Sequence, residues 1–124
     1  MKRDAPLKTR TTEDLVQAYR EAAAQQWSAI ASGKKKAAQS SSVAVVRIYS
    51  ELRQRGVNAQ GMLLTLLHDI DPGVRVWAAS HAMEFAPDKG EPVLRELAEQ
   101  PRGLTGLIAE HALRQWRDGT LFFP

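Results

Sequence analysis

Leu63-Leu64-Thr65-Leu66-Leu67-His68-Asp69-Ile70-Asp71-Pro72-Gly73-Val74-Arg75-Val76-Trp77-Ala78-Ala79 is the stretch on which the fold turns. Leu63, Leu66 and Leu67 stand three and four residues apart, so on a helix they share one face. They predict a short helix from about Ala59 to His68. Asp69-Ile70-Asp71 interrupts the pattern, and Pro72 suits the first position of a new helix, where the missing amide hydrogen has no acceptor to lose. Asp71 offers a carboxylate to cap the amides that follow. Val74, Trp77, Ala78, His81, Ala82 and Phe85 then continue at helical spacing up to Pro87, which disfavours a helical Ala86.

Toward the N-terminus, Leu15, Tyr19, Ala22, Ala23, Trp27 and Ile30 line one face of a helix from Thr12 to Ala31. Thr11 or Thr12 caps it, Glu13 and Asp14 suit its positive end, and Gly33 stops it. Val45, Ile48, Tyr49 and Leu52 mark a second helix, with Gly56 as a left-handed cap. Lys34 to Ser42 reads as the linker between the two, its three serines beginning or solvating the second helix. Toward the C-terminus, Pro92 opens a fifth helix with Val93, Leu94, Leu97 and Ala98 inward, and Pro101 closes it. A sixth runs from about Leu104 to Arg117, with Leu104, Leu107, Ile108, His111 and Ala112 inward, Trp116 near its end and Gly119 as its stop.

Six helices on short turns, with no alternating strand pattern, predict an all-α fold of about three antiparallel pairs. An internal repeat supports the pairing. Leu63, Leu66 and Leu67 recur 31 residues on as Leu94, Leu97 and Ala98, while Ala79, His81, Ala82 and Met83 recur 30 on as Ala109, His111, Ala112 and Leu113. A period near 30 with two helices per unit is the mark of a solenoid, in which each pair buries its apolar side against its neighbours. The organisation expected is an N-terminal tail over residues 1–11 and a single domain over residues 12–124.

With the leucines, the aspartate turn, Val74-Arg75 and the paired alanines in view, the central stretch resembles a HEAT repeat. The longer span from Thr12 through Trp77-Ala78-Ala79-Ser80-His81-Ala82 to Leu113-Arg114-Gln115-Trp116-Arg117-Asp118-Gly119 is similar to a small bacterial HEAT-like family known only as a domain of unknown function, over about nine tenths of the chain. The match is weakest over residues 1–11 and the Lys34-to-Ser42 linker. The resemblance implies a HEAT-like α-α superhelix and a bacterial cytosolic setting. It transfers no catalytic residue. Some small bacterial HEAT-like proteins neutralise toxins as immunity partners, which is an analogy of fold.

Composition narrows the chemistry. The chain has 124 residues, 44% hydrophobic and 25% charged, which is the balance of one globular domain with one continuous core. It contains no cysteine, so disulfides, thiolate zinc sites and cysteine nucleophiles are excluded. The charged start, Met1 to Lys8, has no apolar run behind it, and the expected address is the cytoplasm, with no membrane contact. The net charge of +3 is uneven: residues 34–58 carry six basic side chains against Glu51, and residues 59–124 carry six against nine acidic ones. Such asymmetry steers an acidic partner toward one end of the chain.

Each chemical motif has a plainer reading. Ser32-Gly33-Lys34-Lys35 invites a phosphate loop, but Ser28 stands where that loop needs glycine and Lys35 where it needs Ser or Thr. His81 and His111 occupy equivalent repeat positions, and neither has a second histidine three or four residues away, so packing explains them better than metal. Asp69 and Asp71 fit a turn and a cap. The serines at 40, 41 and 42 lack a nucleophile-elbow context. Trp27, Trp77 and Trp116 lie on apolar stripes. Leu121-Phe122-Phe123-Pro124 is expected to fold back over the last helix pair, or, if free, to offer a contact patch. No cofactor and no metal are expected.

Three functions of different class follow. The first is a protein-interaction module whose second helices read a protein partner, with Arg75, Arg114 and Arg117 as polar contacts. The second is nucleic-acid binding through Lys34, Lys35, Lys36, Arg47, Arg53 and Arg55, against which stand the modest net charge and the scarcity of exposed aromatics. The third is an enzyme, for which no convergent nucleophile, base and anion hole is found.

Overall fold

Thr11 sets the first boundary. In the computed structural model, which describes residues 6–100 and 103–123, its hydroxyl accepts the Asp14 amide at 3.1 Å, and α1 (Thr12–Ala31) starts there. Glu13 and Asp14 lie in the first turn, where the helix dipole favours them. The expectations placed on residues 1–5, on Pro101 and on Pro124 lie outside the described residues. Among those residues the fold is all-helical, with six α-helices and no strand.

The chain packs as two compact units, residues 1–62 and 63–124. In the first, α1 packs against α2 (Lys35–Arg55), joined to it by residues 32–34 with Gly33 at φ +71°. Leu15, Tyr19 and Ala23 on α1 and Val45, Tyr49 and Leu52 on α2 are fully buried. Each leucine so buried contributes about 1.5–3 kcal/mol relative to exposure. Ile30, expected inward, is 36% exposed, because the α1 stripe runs out at the turn. The expected Lys34-to-Ser42 linker is mostly helix: α2 begins at Lys35, and the serines at 40, 41 and 42 belong to it. That segment holds no apolar residue at helical period, so its helix follows from continuity with Val45-to-Leu52. Gly56 ends α2 at φ +110° and ψ 178°, a positive φ but not the left-handed helical cap expected. After it come α3 (Val57–Gly61) and a 3-10 helix, Met62–His68. The single helix expected over this stretch is thus split, with Leu63, Leu66 and Leu67 all buried in the 3-10 part.

The second unit is built around α4 (Pro72–Phe85), α5 (Pro87–Ala98) and α6 (Leu104–Asp118), with α5 packed against both α4 and α6. Asp71 caps α4 through Oδ1 to the Gly73 amide at 2.8 Å, and Asp69 Oδ2 accepts the Asp71 amide at 2.9 Å. Both carboxylates thereby define the turn. A single residue, Ala86, separates α4 from α5, and its φ of −150° takes the chain out of helix before Pro87. Pro87, not Pro92, opens α5; Pro92 lies inside it. Gly106 brings α6 close to α5: a Cβ there would lie 3.0 Å from the Leu97 carbonyl oxygen. That approach buries Gly106, Ala109, Ala112 and Leu113 and turns Leu104, Leu107, Ile108 and His111 outward, the reverse of the expected face except for Ala112. Gly119 closes α6 at φ +75°, and the amides of Thr120 and Leu121 fold back onto the Gln115 carbonyl at 2.8 and 3.2 Å. Leu121 and Phe123 are half-buried while Phe122 points outward.

Candidate interaction surfaces

The basic candidates divide according to how far their side chains are already engaged. Arg55 is anchored: its Nε meets Glu51 Oε2 at 3.0 Å, Nη1 donates to Thr12 Oγ1 at 3.2 Å, and Nη2 donates to the carbonyls of Leu7 and Lys8 at 2.9 and 3.4 Å. It fastens the short 3-10 turn at Leu7–Thr9 to the end of α2. Arg53 is half-buried, with its guanidinium 5.0 Å from the centre of the Tyr49 ring, a cation-π arrangement. Packing within the unit thus claims two of the six cations.

Lys34, Lys35, Lys36 and Arg47 are exposed. Lys36, Ser40, Val43 and Arg47 recur at steps of three and four, so they share the outward side of α2 opposite buried Val45, Ile48 and Leu52. Lys36, Gln39, Ser40 and Val43 line a shallow open hollow there. No acidic residue sits in the first turn of α2 and no side chain caps it. Three lysines at the positive end of a helix oppose its dipole, at a cost of about 0.3–1 kcal/mol each.

Beneath this surface lies a small polar network. Gln60 donates from Nε2 to Tyr49 Oη at 3.1 Å, and both residues are buried. Burial, and then the neighbouring Tyr49, push the Tyr19 phenol well above its ordinary value. Nothing in the sequence pattern pointed to Gln60 as a core residue. Its pairing with Tyr49 is visible only once α3 has folded against α2.

In the second unit the outward side of α6 presents Leu104 (44% exposed), Leu107 (65%), Ile108 (41%) and His111. Arg114, seven residues beyond Leu107, lies on the same side and pairs with Glu110 Oε1 at 3.1 Å, both side chains remaining more than half exposed. Arg117 is exposed in the last turn. Arg75 on α4 is half-buried, and its Nε is buried with no hydrogen-bond acceptor among the described residues. The three arginines therefore differ: Arg114, paired with Glu110, and Arg117 reach into solvent, while Arg75 is half-buried. The histidines also part company. His81 is 3% exposed with its ring 5.8 Å from that of Trp77, whereas the outward turn of α6 exposes His111. Trp77 and Trp27 are half-buried, and Trp116 is 38% exposed. No helix among the described residues is long and apolar enough to cross a membrane.

No protein-family model matches the chain, and no curated protein matches it. Among solved structures, the fold is similar to the crystal structure of the protein RPA1889 from Rhodopseudomonas palustris CGA009, with a TM-score of 0.89 and 25% sequence identity over 98% of this chain and 99% of that one.

Proposed function

We propose that the chain is a non-enzymatic protein-interaction module of the HEAT-like repeat type, an α-α superhelix of about three helix pairs, working in a bacterial cytoplasm. The observation that carries this reading is the outward side of α6. Leu104, Leu107 and Ile108 form an apolar stripe at helical spacing on a helix whose other side is already buried against α5. Leaving large apolar side chains in water has no stabilising purpose, and a contiguous patch marks a contact surface. The occupant that fits is an amphipathic helix of a partner protein, anchored at spacings that match the stripe. Arg114 beside Leu107, and Arg117 one turn on, supply the polar rim; Arg75 on α4 is the third arginine of the set.

Replacing Leu107 with a benzophenone-bearing residue in cells tests it. A discrete crosslinked protein is expected, lost when Ile108→Asp is added and weakened by Arg114→Glu. Labelling no stronger than from the same group at exposed Lys89 would refute the reading. A crosslink to a second copy of the chain would replace the partner with self-association.

A further inference from the structure

We propose that the outward side of α2 docks on the phosphate backbone of duplex nucleic acid. The modest net charge of the whole chain argues against such a partner only while the charge is averaged. Divided at the boundary between the two packed units, it separates: residues 1–62 hold eleven basic side chains against five acidic ones, a net +6, and residues 63–124 hold six against nine, a net −3. Within the first unit the segregation is sharper still. From Ser32 to Ser50 there are four cations, Lys34, Lys35, Lys36 and Arg47, and no acidic residue. All four are exposed, and none is the arginine tied to Glu51 or the one stacked on Tyr49.

The span suits a duplex. Eleven residues of helix separate Lys36 from Arg47, about 16 Å of axis at 1.5 Å per residue, enough to meet several phosphates or to cross a groove about 12 Å wide. Ser40, exposed between them on the same side, is small and neutral, so it lets the helix lie close and can donate to a phosphate oxygen. Single strands are usually held by base stacking on aromatic rings. Both tyrosines of this unit are buried and Trp27 is half-buried, so the platform for single strands is missing from this face. Recognition would be of charge and spacing, with no base readout.

The test is titration of the full chain into a fluorescent 20-base-pair duplex, followed by anisotropy from 50 to 200 mM salt. Four neutralised phosphates predict a log-log salt slope of about −3 to −4 and a loss on the order of 100-fold over that range. Arg47→Gln is expected to reduce the slope by about 1, and Lys34→Gln/Lys35→Gln/Lys36→Gln by about 3. Lys89→Gln, the same loss of charge in the second unit, is expected to leave the slope unchanged. Circular dichroism checks each fold; should the triple variant lose helix, Arg47→Gln and Lys36→Gln singly decide the matter. A slope shallower than −1, an effect of Lys89→Gln equal to that of Arg47→Gln, or tighter binding to a single strand of the same length would overturn the proposal. So would binding to phosphatidylglycerol vesicles with no binding to the duplex, which would make the face a membrane contact.

Discussion

Gly90 on α5 lies so close to α4 that a Cβ built on it would stand 2.7 Å from the carbonyl oxygen of Ala79. The same atom would come within 3.1 Å of Ala82 Cβ and 3.2 Å of Met83 Sδ. Gly90→Ala therefore sets two effects against each other. Removing a helical glycine gains about 1 kcal/mol of propensity, while forcing a methyl against a neighbour's backbone costs about 1–3 kcal/mol. Because the nearest atom is backbone and cannot give way, the clash is expected to win, by up to about 2 kcal/mol. Gly61, also helical, has nothing within 4 Å, so Gly61→Ala is expected to stabilise by about 0.4–1 kcal/mol. Denaturant melts of the two variants should move in opposite directions; a shift of the same sign for both would contradict the close-approach account.

The Gln60 to Tyr49 hydrogen bond makes a second prediction, since a broken pair costs more than an absent one. Tyr49→Phe strands the Gln60 amide in the core and is expected to destabilise by about 1–3 kcal/mol. Gln60→Leu in the same chain removes the stranded donor, so the double variant should recover most of that loss. Additive losses in urea melts of the two singles and the double would show the bond to be incidental.

Tyr19 makes the protein sensitive to alkali. Its folded pKa lies above the unfolded value of about 10, so the stability tied to the protonated phenol is complete below pH 10. That stability is lost as pH rises toward the folded value. In Tyr49→Phe, which leaves Tyr19 as the sole tyrosine, burial still holds the phenol up. Tyrosinate absorbance should appear together with loss of helical dichroism, and at about pH 10 in denaturant. An ordinary midpoint in the folded protein would mean that water reaches the ring.

How much of this was legible depends on what the sequence encodes locally. The bounds of α1 and the start of α4 were readable because each has a cap beside a periodic stripe: Thr11 before Leu15, Asp71-Pro72 before Val74. The start of α2 was not, since Lys34 to Ser42 carries no apolar period. Pro92 has the form of a helix opener, but Pro87, five residues earlier, already fills that position and leaves Pro92 inside α5. The reversal of α6 is the most instructive. Periodicity selects its most apolar side, Leu104-Leu107-Ile108, but α5 approaches closely at Gly106, where even a Cβ would stand 3.0 Å from the Leu97 carbonyl oxygen, and the side that carries Gly106, Ala109, Ala112 and Leu113 is the one buried. The exposed stripe on which the protein-binding proposal rests is thus a product of packing. The basic set was readable as composition. Its reduction from six to four depended on partners as distant in sequence as Leu7.

Arg55 illustrates that last point and gives the fourth prediction. Its guanidinium holds the carbonyl of Leu7, 48 residues away, at 2.9 Å, and that turn is closed by the Arg10 amide on the same carbonyl at 3.2 Å. With Arg55 and Glu51 side chains only 21% and 13% exposed, these bonds lie partly out of water, where charged donors count for more than on an open surface. Arg55→Ala is expected to lower stability by about 1–2 kcal/mol. Lysine, keeping the charge but not the fork that reaches Glu51, Thr12 and Leu7 together, should restore only part of it. The diagnostic readout is local: amide exchange at Thr9 and Arg10 should quicken in Arg55→Ala, while exchange in the middle of α4 stays as it was. Uniform quickening along the chain would show that Arg55 supports the fold as a whole and does not fasten this segment.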